Sequence, residues 1–334
     1  MEKLCFYDVS PVDQTQLQQH LNNLPATFSS EHLSVENADP EATVLSVFVS
    51  SKVTAEMITK MPKLKLIACR STGVDNIDIA AAKSRHIAIA SVPTYGEHTV
   101  AEYTFALLLT LSRKIIAAEL ALRDGQTDHS NLQGFDLFGR TFGLLGAGKI
   151  GRNVAILARA FGMNVIAYDP FPNNDAAAQI GYTYSTLDEV LKSSDVISMH
   201  VPYLPENDHL MNEQRFALMK PTAILLNTSR GEVVDTKALI SALKDHRLGG
   251  AALDVFEGEK LVGIDEEMFQ LRAQQVDTMA LEADIELSIL QKLPNVLMTN
   301  HNAYNTVEAV GRINQTSVEN ITKFLASEPQ NLIP

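Results

Sequence analysis

Three side chains with complementary chemistry follow three strand-like runs in the second half of this 334-residue chain. Arg230, Glu259 and His301 each stand a few residues beyond such a run. Because the carboxyl ends of parallel strands meet at one edge of a sheet, we expect these side chains to lie near one another. The three runs are Ala223–Asn227, Ala251–Val255 and Val296–Thr299.

The three residue types together indicate chemistry on a 2-oxo acid. Arginine can hold a carboxylate through two parallel hydrogen bonds. An imidazole can give a proton to a carbonyl oxygen while a hydride reaches the carbon, and a nearby carboxylate favours the protonated imidazole. Taken singly, each has a simpler interpretation, with Arg230 in a loop ion pair, Glu259 on a solvated surface and His301 capping a turn.

A glycine-rich turn precedes these residues along the chain. The apolar run Phe142–Leu145 leads into Gly146-Ala-Gly148-Lys-Ile-Gly151, a helical pattern follows, and a second strand ends at Asp169. This order is the dinucleotide-binding fingerprint in its proper context. The first glycine permits the tight turn, the second lets a pyrophosphate approach the backbone, and the third allows the helix to pack closely on the strand.

The position of Asp169 at the end of the second strand favours one of the two common dinucleotides. Its carboxylate is placed to accept hydrogen bonds from ribose hydroxyls and would repel a 2′-phosphate. The amides at the start of the following helix would hold the negative phosphates. The sequence therefore predicts NAD as the cofactor rather than NADP.

Composition excludes several other classes of protein. The formal net charge of -13 disfavours nucleic acid and acidic lipid as partners, and no apolar run reaches membrane-spanning length. Two cysteines in a chain this long predict buried thiols in the cytoplasm. The histidines show no metal-ligand spacing, so no metal is expected, and Ser229 lies outside a Gly-x-Ser-x-Gly elbow.

The pattern of strands and helices predicts two α/β domains. Residues 1–100 alternate strand-like and helical runs, and a doubly wound parallel sheet is expected over 101–301. The last helix, expected at Val307–Ala326, returns to the first domain, which therefore comprises 1–100 and 302–334.

Three segments carry more specific expectations. His98–Leu122 reads as one long apolar helix that leads into Arg123–Gly139, a polar stretch interpreted as an arm. The acidic segment Lys260–Leu290 interrupts the alternation of strand and helix, and both a lid and an insertion fit it.

The first domain offers its own substrate-facing residues. Arg70-Ser-Thr72-Gly73-Val-Asp75 reads as a turn from strand to helix, whose exposed amides would bind a carboxylate. An ordinary turn is the alternative. Tyr95 stands at the inferred domain junction, where it either faces a substrate or packs.

The glycine turn followed by Arg230, Glu259 and His301 resembles the D-isomer-specific 2-hydroxyacid dehydrogenase family. The resemblance covers nearly the whole chain. It implies a doubly wound Rossmann domain that binds NAD and a smaller flavodoxin-like α/β domain that binds substrate. It further implies that Arg230 orients the substrate, that His301 donates the proton and that Glu259 supports His301. The positions that match the family's cofactor contacts are Gly146, Gly148, Lys149, Ile150, Gly151, Asp169, Val201, Pro202, Asn207, Thr228, Ser229 and Asp254.

The same resemblance implies a reaction and a set of substrate contacts. A 2-oxo acid, NADH and a proton give the (R)-2-hydroxy acid and NAD⁺, reversibly, with pyruvate as the favoured substrate. Thr72, Gly73, Tyr95 and Tyr304 match substrate-facing positions, in addition to Arg230. A homodimer formed through the long helix and the arm is implied as well. The open alternatives are reduction of 2-oxoisocaproate, phenylpyruvate, hydroxypyruvate or glyoxylate, and an NAD-sensing binding protein.

Overall fold

The computed structural model describes residues 2–22, 24–259 and 278–334, and the chain divides into two compact units. The first unit comprises Met1–Gly96 and Asn305–Pro334, and the second comprises Glu97–Tyr304. No helix within the described ranges is long and apolar enough to cross a membrane.

Short strands alternate with helices along most of the chain. The strands are β1 (Leu4–Phe6), β2 (Ala26–Phe28), β3 (Val44–Val47), β4 (Leu66–Cys69), β5 (Ala88–Ala90), β6 (Thr141–Leu145), β7 (Asn164–Tyr168), β8 (Thr183–Tyr184), β9 (Val196–Met199), β10 (Ile224–Asn227), β11 (Gly250–Leu253) and β12 (Val296–Met298). The α-helices are α1 (Pro11–His20), α2 (Ala55–Lys60), α3 (Ile79–Ser84), α4 (Glu97–Ser112), α5 (Ile115–Arg123), α6 (Lys149–Ala160), α7 (Asn174–Ile180), α8 (Leu187–Ser193), α9 (Glu213–Phe216), α10 (Thr236–Lys244), α11 (Thr278–Lys292) and α12 (Val307–Leu325).

The first unit is built on a five-stranded parallel sheet in the order β2-β1-β3-β4-β5. Strands β1, β3 and β4 are buried along their whole length, as expected for a parallel sheet covered on both faces. Helix α12 returns to this unit, where Asn314 bonds to Asp13 of α1 at 3.0 Å and Asn320 to the Ser91 carbonyl at 2.8 Å. The strand order is that of flavodoxin-like folds.

The second unit is built on a seven-stranded parallel sheet in the order β12-β11-β10-β9-β6-β7-β8. The order reverses between β6 and β9, which places the topological switch point beside the turn that follows β6. In the register of the sheet, Asn227 pairs with Leu253 and Leu253 with Met298. The loops after β10, β11 and β12 therefore leave the sheet at the same edge. The predicted fold class, a doubly wound sheet with a smaller α/β unit, is confirmed.

The prediction of one long helix over His98–Leu122 is wrong, because two helices occupy this region. Helix α4 ends at Ser112, and Lys114 takes a left-handed backbone conformation with φ of 50° before α5 begins. The Ser112 carbonyl accepts the Phe135 amide at 3.0 Å instead of continuing the helical ladder. Residues 124–139, within the predicted arm, contain neither helix nor strand.

The described part of the acidic segment Lys260–Leu290 fits the alternation of strand and helix, which the sequence pattern was expected to interrupt. Residues 278–290 lie in helix α11, which stands between the parallel strands β11 and β12 along the chain. Residues 260–277 lie outside the described part of the chain. The two interpretations of the segment, a lid or an insertion, concern these residues.

The expected strand-to-helix turn at 70–75 is an irregular loop. Helix α3 begins only at Ile79, where Asp78 caps it by accepting the Ala81 amide at 2.9 Å. Between strand and helix, Ile77 forms an isolated parallel bridge with Val53. The N-terminus of α3 therefore lies six positions beyond Gly73 along the chain.

Candidate active site

The turn after β6 requires glycine for steric reasons. Gly146 has a φ of 93°, and a Cβ atom there would lie 2.5 Å from the carbonyl oxygen of His200. A Cβ atom on Gly151 would collide with the carbonyl oxygen of Gly146. At Gly148, in contrast, a Cβ atom would meet no atom of residues 2–22, 24–259 or 278–334 within 4 Å, so this glycine faces open space among them. This is the arrangement expected of a cradle that a pyrophosphate approaches.

The first turn of helix α6 directly follows the glycine turn. Gly148 is its N-cap residue and has no side chain to bond the first amides of the helix. Lys149, largely exposed, lies 3.7 Å from the Glu97 carboxylate, and Ile150 is half-buried. The N-terminal amides of this twelve-residue helix therefore fit the phosphates of a dinucleotide.

Asp169 connects the end of β7 to the glycine turn. One of its carboxylate oxygens accepts the Ala147 amide at 2.7 Å, and the other accepts the Phe171 amide at 2.8 Å. Each carboxylate oxygen can accept a second hydrogen bond, so the group still suits ribose hydroxyls. Asp169 thus holds the turn in place as well as occupying the predicted ribose position.

The loop after β9 contains Val201, Pro202 and Asn207, which sequence analysis assigned to the cofactor. The Asn207 side chain donates to the Pro202 carbonyl at 2.6 Å and accepts the Leu204 amide at 2.7 Å. Its amide group therefore shapes the loop from within.

His200 stands between β9 and this loop. Burial lowers the pKa of His200 to about 3, so its imidazole is neutral beside the glycine turn. Its Nε2 lies 2.8 Å from the Ser198 hydroxyl.

The turn after β10 is organised by Asn227, a fully buried residue that sequence analysis did not single out. Its side-chain oxygen accepts both the amide and the hydroxyl of Ser229, at 3.0 and 2.9 Å. Its amide nitrogen donates to the Arg230 carbonyl at 2.7 Å, and Thr228 bonds to Thr104 at 3.0 Å. A polar residue at the end of an apolar strand is the signal that would have identified it.

Arg230 is presented by this turn next to the loop that follows β11. Its Nη1 donates to the Ser229 carbonyl at 2.7 Å. A Cβ atom on Gly231 would collide with the Phe256 carbonyl and would lie 2.6 Å from the Glu257 amide nitrogen. The two loops are therefore in direct backbone contact, which brings the Arg230 turn against the segment that contains Glu259.

His301 and Glu259 form the central contact of the site. The imidazole Nδ1 lies 3.0 Å from Glu259 Oε1, and both side chains are only partly exposed. The other Glu259 oxygen accepts the Phe256 amide at 3.4 Å. With Nδ1 bonded to the carboxylate, Nε2 is the ring nitrogen that can deliver a proton to a substrate.

Asp254 anchors the loop that contains His301. Its buried carboxylate accepts the Thr299 hydroxyl at 2.6 Å and the amides of Asn302 and Ala303, both at 2.8 Å. The family resemblance implies that Asp254 is a cofactor contact. Its three bonds to residues 299–303 add a positioning role that the sequence did not indicate.

The predicted substrate residues are divided between the two units. In the second unit, the Tyr304 ring lies edge-on to the His301 imidazole, with centroids 6.4 Å apart. In the first unit, the Thr72 hydroxyl donates to the Val92 carbonyl at 2.7 Å, and the Gly73 carbonyl accepts the Ser71 hydroxyl at 2.6 Å. The Tyr95 carbonyl, also in the first unit, accepts Nε of Arg312 at 2.5 Å.

Among residues 2–22, 24–259 and 278–334, no three His, Cys, Asp or Glu side chains are grouped so that they could hold a metal ion.

The chain is similar to known proteins of one family. Residues 105–303 match the D-isomer specific 2-hydroxyacid dehydrogenase, NAD binding domain. The D-lactate dehydrogenase of Escherichia coli (strain K12) is 33% identical over 339 residues, which cover 99% of this chain and 100% of that protein. The glyoxylate reductase of Thermococcus litoralis is 38% identical over 301 residues, which cover 88% of this chain and 84% of that protein. The crystal structure of D-lactate dehydrogenase from Aquifex aeolicus, complexed with NAD and lactic acid, matches with a TM-score of 0.84 and 35% identity, covering 97% of this chain and 96% of that chain.

The doubly wound sheet and its glycine turn define the second unit as the NAD-binding part of a dehydrogenase. The chain belongs to the D-isomer-specific 2-hydroxyacid dehydrogenase family, and NAD is its cofactor.

Proposed function

We propose that the protein is a D-lactate dehydrogenase, which reduces pyruvate with NADH to (R)-lactate and also catalyses the reverse reaction. The observation that carries the proposal is the 3.0 Å contact between His301 Nδ1 and Glu259, on a loop that packs against the Arg230 turn. A guanidinium, an imidazole and a carboxylate at neighbouring strand ends are the groups that reduction of a 2-oxo acid requires.

Each of the three side chains has a distinct role in this proposal. The Arg230 guanidinium binds the substrate carboxylate and polarises the adjacent ketone. His301 transfers the proton on Nε2 to the ketone oxygen, and Glu259 stabilises the imidazolium before the transfer. One 2-oxo acid, one NADH and one proton are consumed for each 2-hydroxy acid and NAD⁺ formed.

NADH, when bound, supplies the hydride that reaches the ketone carbon. The residues that would hold it are those around the glycine turn, together with Asp169 and the loops after β9 and β10. Gly148 faces open space, which leaves room for the pyrophosphate. We assign residues 101–301 to this NAD-binding domain and residues 1–100 with 302–334 to the substrate domain.

Substrate choice is proposed to depend on residues of both domains. Thr72 and Gly73 would add loop amides to the carboxylate site, while Tyr95 and Tyr304 would limit the size of the substrate side chain. The likeness to the D-lactate dehydrogenase of Escherichia coli favours pyruvate. The likeness to the glyoxylate reductase of Thermococcus litoralis favours glyoxylate as the second candidate substrate.

A substrate panel tests this proposal. Purified protein is mixed with NADH and, separately, with pyruvate, glyoxylate, hydroxypyruvate, 2-oxoisocaproate or phenylpyruvate, and kcat/KM is measured from the loss of NADH absorbance. We expect the highest value with pyruvate and a product of R configuration. A higher value with another acid reassigns the substrate, and NADH binding without turnover of any acid would instead favour an NAD-sensing protein.

We also propose a homodimer in the cytoplasm. Helix α5 has no buried residue and exposes Ile115, Ile116, Leu120 and Leu122 on one short segment. An apolar surface of this kind suits contact with a second copy. Both cysteines, Cys5 and Cys69, are buried free thiols, which fits a reducing compartment. Light scattering of the wild type and of a Leu120→Glu variant tests the dimer, which the variant should weaken.

A further inference from the structure

An ion pair outside the catalytic trio joins two of the loops around the site. In the loop after β9, His209 Nε2 lies 2.8 Å from Oε1 of Glu257, which follows β11. Both side chains are about one-third exposed, at 39% and 36%. The mechanism proposed above uses neither of them.

The pair lies where three segments are already joined through their backbones. The His209 amide donates to the Glu232 carbonyl at 2.9 Å, and the Met211 amide donates to the Val233 carbonyl at the same distance. The second Glu257 oxygen accepts the Thr236 amide at 3.4 Å. The loop after β9, the turn after β10 and the loop after β11 therefore form one connected layer.

Glu257 is close along the chain to Glu259, which contacts His301. The Glu257 amide nitrogen and the Phe256 carbonyl lie where a Cβ atom of residue 231 would stand, so this backbone is in close contact with the Arg230 turn. Two residues further on, Glu259 bonds to the Phe256 amide and to His301. At the other end of the pair, His209 follows Asn207, whose side chain shapes the proposed cofactor loop.

We propose that His209 and Glu257 are positioning residues that form a pH-sensitive clasp, which holds the cofactor loop after β9 against the loop that contains Glu259. The inference rests on the proposed assignment of the loop after β9 to NAD, and it does not depend on which 2-oxo acid is reduced.

The charges around the clasp are mostly negative. Asp208 lies on the same loop as His209, and Asp235 and Lys237 lie at the start of α10. Lys237 pairs with Glu282 and Glu286 of α11, at 3.2 and 3.9 Å. The His209 amide donates to the backbone carbonyl of Glu232, and the side chain of Glu232 adds a further carboxylate.

These surroundings favour the charged form of the clasp. Burial alone would lower the pKa of His209, but the Glu257 carboxylate, Asp235 and Asp208 together raise it above its ordinary value. The ion pair therefore persists to a higher pH than the ordinary pKa of a histidine would allow. It is lost as the pH rises through the raised pKa, when a neutral hydrogen bond replaces it.

Titration with NADH in the absence of substrate tests the clasp. The Kd for NADH is measured by fluorescence between about pH 6 and pH 9, the range in which histidine changes charge. The variants are His209→Gln, which is neutral throughout, His209→Arg, which is charged throughout, and Glu257→Gln. His32→Gln is the matched control, because His32 forms a 2.6 Å ion pair with Asp8 in the other unit. Thermal midpoints of the wild type and of every variant check that each is folded.

In the wild type, we expect the Kd to increase about two- to five-fold as the pH rises, the range that a partly exposed ion pair contributes. His209→Gln should have the higher Kd for NADH at every pH, and His209→Arg should have the lower Kd. The double variant of His209→Gln and Glu257→Gln should bind no more weakly than either single variant, because the two residues act as a unit.

Two outcomes would overturn the clasp. One is a pH dependence of the Kd in His209→Gln equal to that of the wild type, and the other is an equal change in His32→Gln. Because no 2-oxo acid is present, these results are separate from the test of the proposed reaction, so a negative substrate panel would leave them intact.

Discussion

The backbone amide of His301 donates to the carbonyl oxygen of Asp254 at 2.8 Å, so the two residues are joined across neighbouring strands. The Asp254 carboxylate bonds at the same time to residues on both sides of His301. His301 itself takes a left-handed backbone conformation with φ of 53°, which costs about 1 kcal/mol for a residue with a Cβ atom. Asp254 therefore holds His301 in a backbone conformation that the chain would not otherwise prefer.

Replacing this carboxylate by an amide should weaken both the fold and the reaction. In Asp254→Asn, an NH₂ group faces one of the hydrogen-bond donors that the carboxylate now satisfies. We expect a loss of about 1–3 kcal/mol in the free energy of unfolding, the cost of an unsatisfied buried donor. The kcat should fall by roughly tenfold or more, since the proton donor is no longer held in place.

Thr299→Val is the matched control for this variant, because it removes one of the donors to Asp254 and leaves the carboxylate. It should lose about 1 kcal/mol of stability and retain most of the kcat. Urea unfolding and steady-state kinetics measure both quantities. An Asp254→Asn enzyme with unchanged kcat would contradict the positioning role.

Arg230→Lys should impair substrate binding although it preserves the charge. A guanidinium forms two parallel hydrogen bonds to a carboxylate, and an ammonium cannot reproduce this geometry. We expect kcat/KM for the 2-oxo acid to fall roughly 10²-fold and the Kd for NADH to remain within twofold. Arg247→Lys, beside Asp245 in the same unit, is the control. If NADH binding is lost instead, Arg230 acts on the cofactor.

Asp169→Ser should alter the choice of cofactor. The wild-type carboxylate repels a 2′-phosphate and also holds the Ala147 amide. Loss of the negative charge should reduce the preference for NADH over NADPH by about tenfold, or about 1.4 kcal/mol. The ratio of kcat/KM for the two cofactors measures this, with the exposed Asp175→Asn as control. An unchanged ratio would show that Asp169 does not face the ribose.

Asp195 gives a prediction about stability and pH. Burial raises the pKa of Asp195, but the Thr141 amide, the Lys220 ammonium and Arg140 lower it overall. The contribution of the Asp195 carboxylate to the free energy of unfolding is therefore complete above the ordinary pKa of about 3.9. This contribution is lost as the pH falls through the lowered pKa.

Asp195→Asn should consequently lose about 1–2 kcal/mol in the free energy of unfolding at pH 7, and the difference should shrink towards pH 2. Urea titrations at both pH values test this. A difference of the same size at the lower pH would mean that the loss does not come from the charge.

The parts of the site that sequence could predict are those with local steric or chemical requirements. Gly146 takes a φ of 93°, and a Cβ atom on Gly151 would collide with the Gly146 carbonyl oxygen, so both requirements are local and the glycine spacing identifies the turn. The strands that precede Arg230 and His301 can also be predicted from local sequence, because buried parallel strands are continuous apolar runs.

The parts that sequence missed depend on contacts between distant segments. The break between α4 and α5 follows from the bond between Phe135 and Ser112, which no helical pattern contains. Strand β8 has only two residues, which is too short for a periodic signal. The bonds of Asp254 to residues 299–303 span two strands, so its positioning role became visible only in three dimensions.

The most direct test of the central claim compares the wild type with His301→Gln in a single assay. NADH oxidation with pyruvate is measured for both proteins, together with the Kd for NADH and the configuration of the product. We expect (R)-lactate from the wild type and a kcat lower by about 10²–10⁴-fold in the variant, with NADH binding within twofold. Equal rates in the two proteins would contradict the account, because the proton would then come from another group.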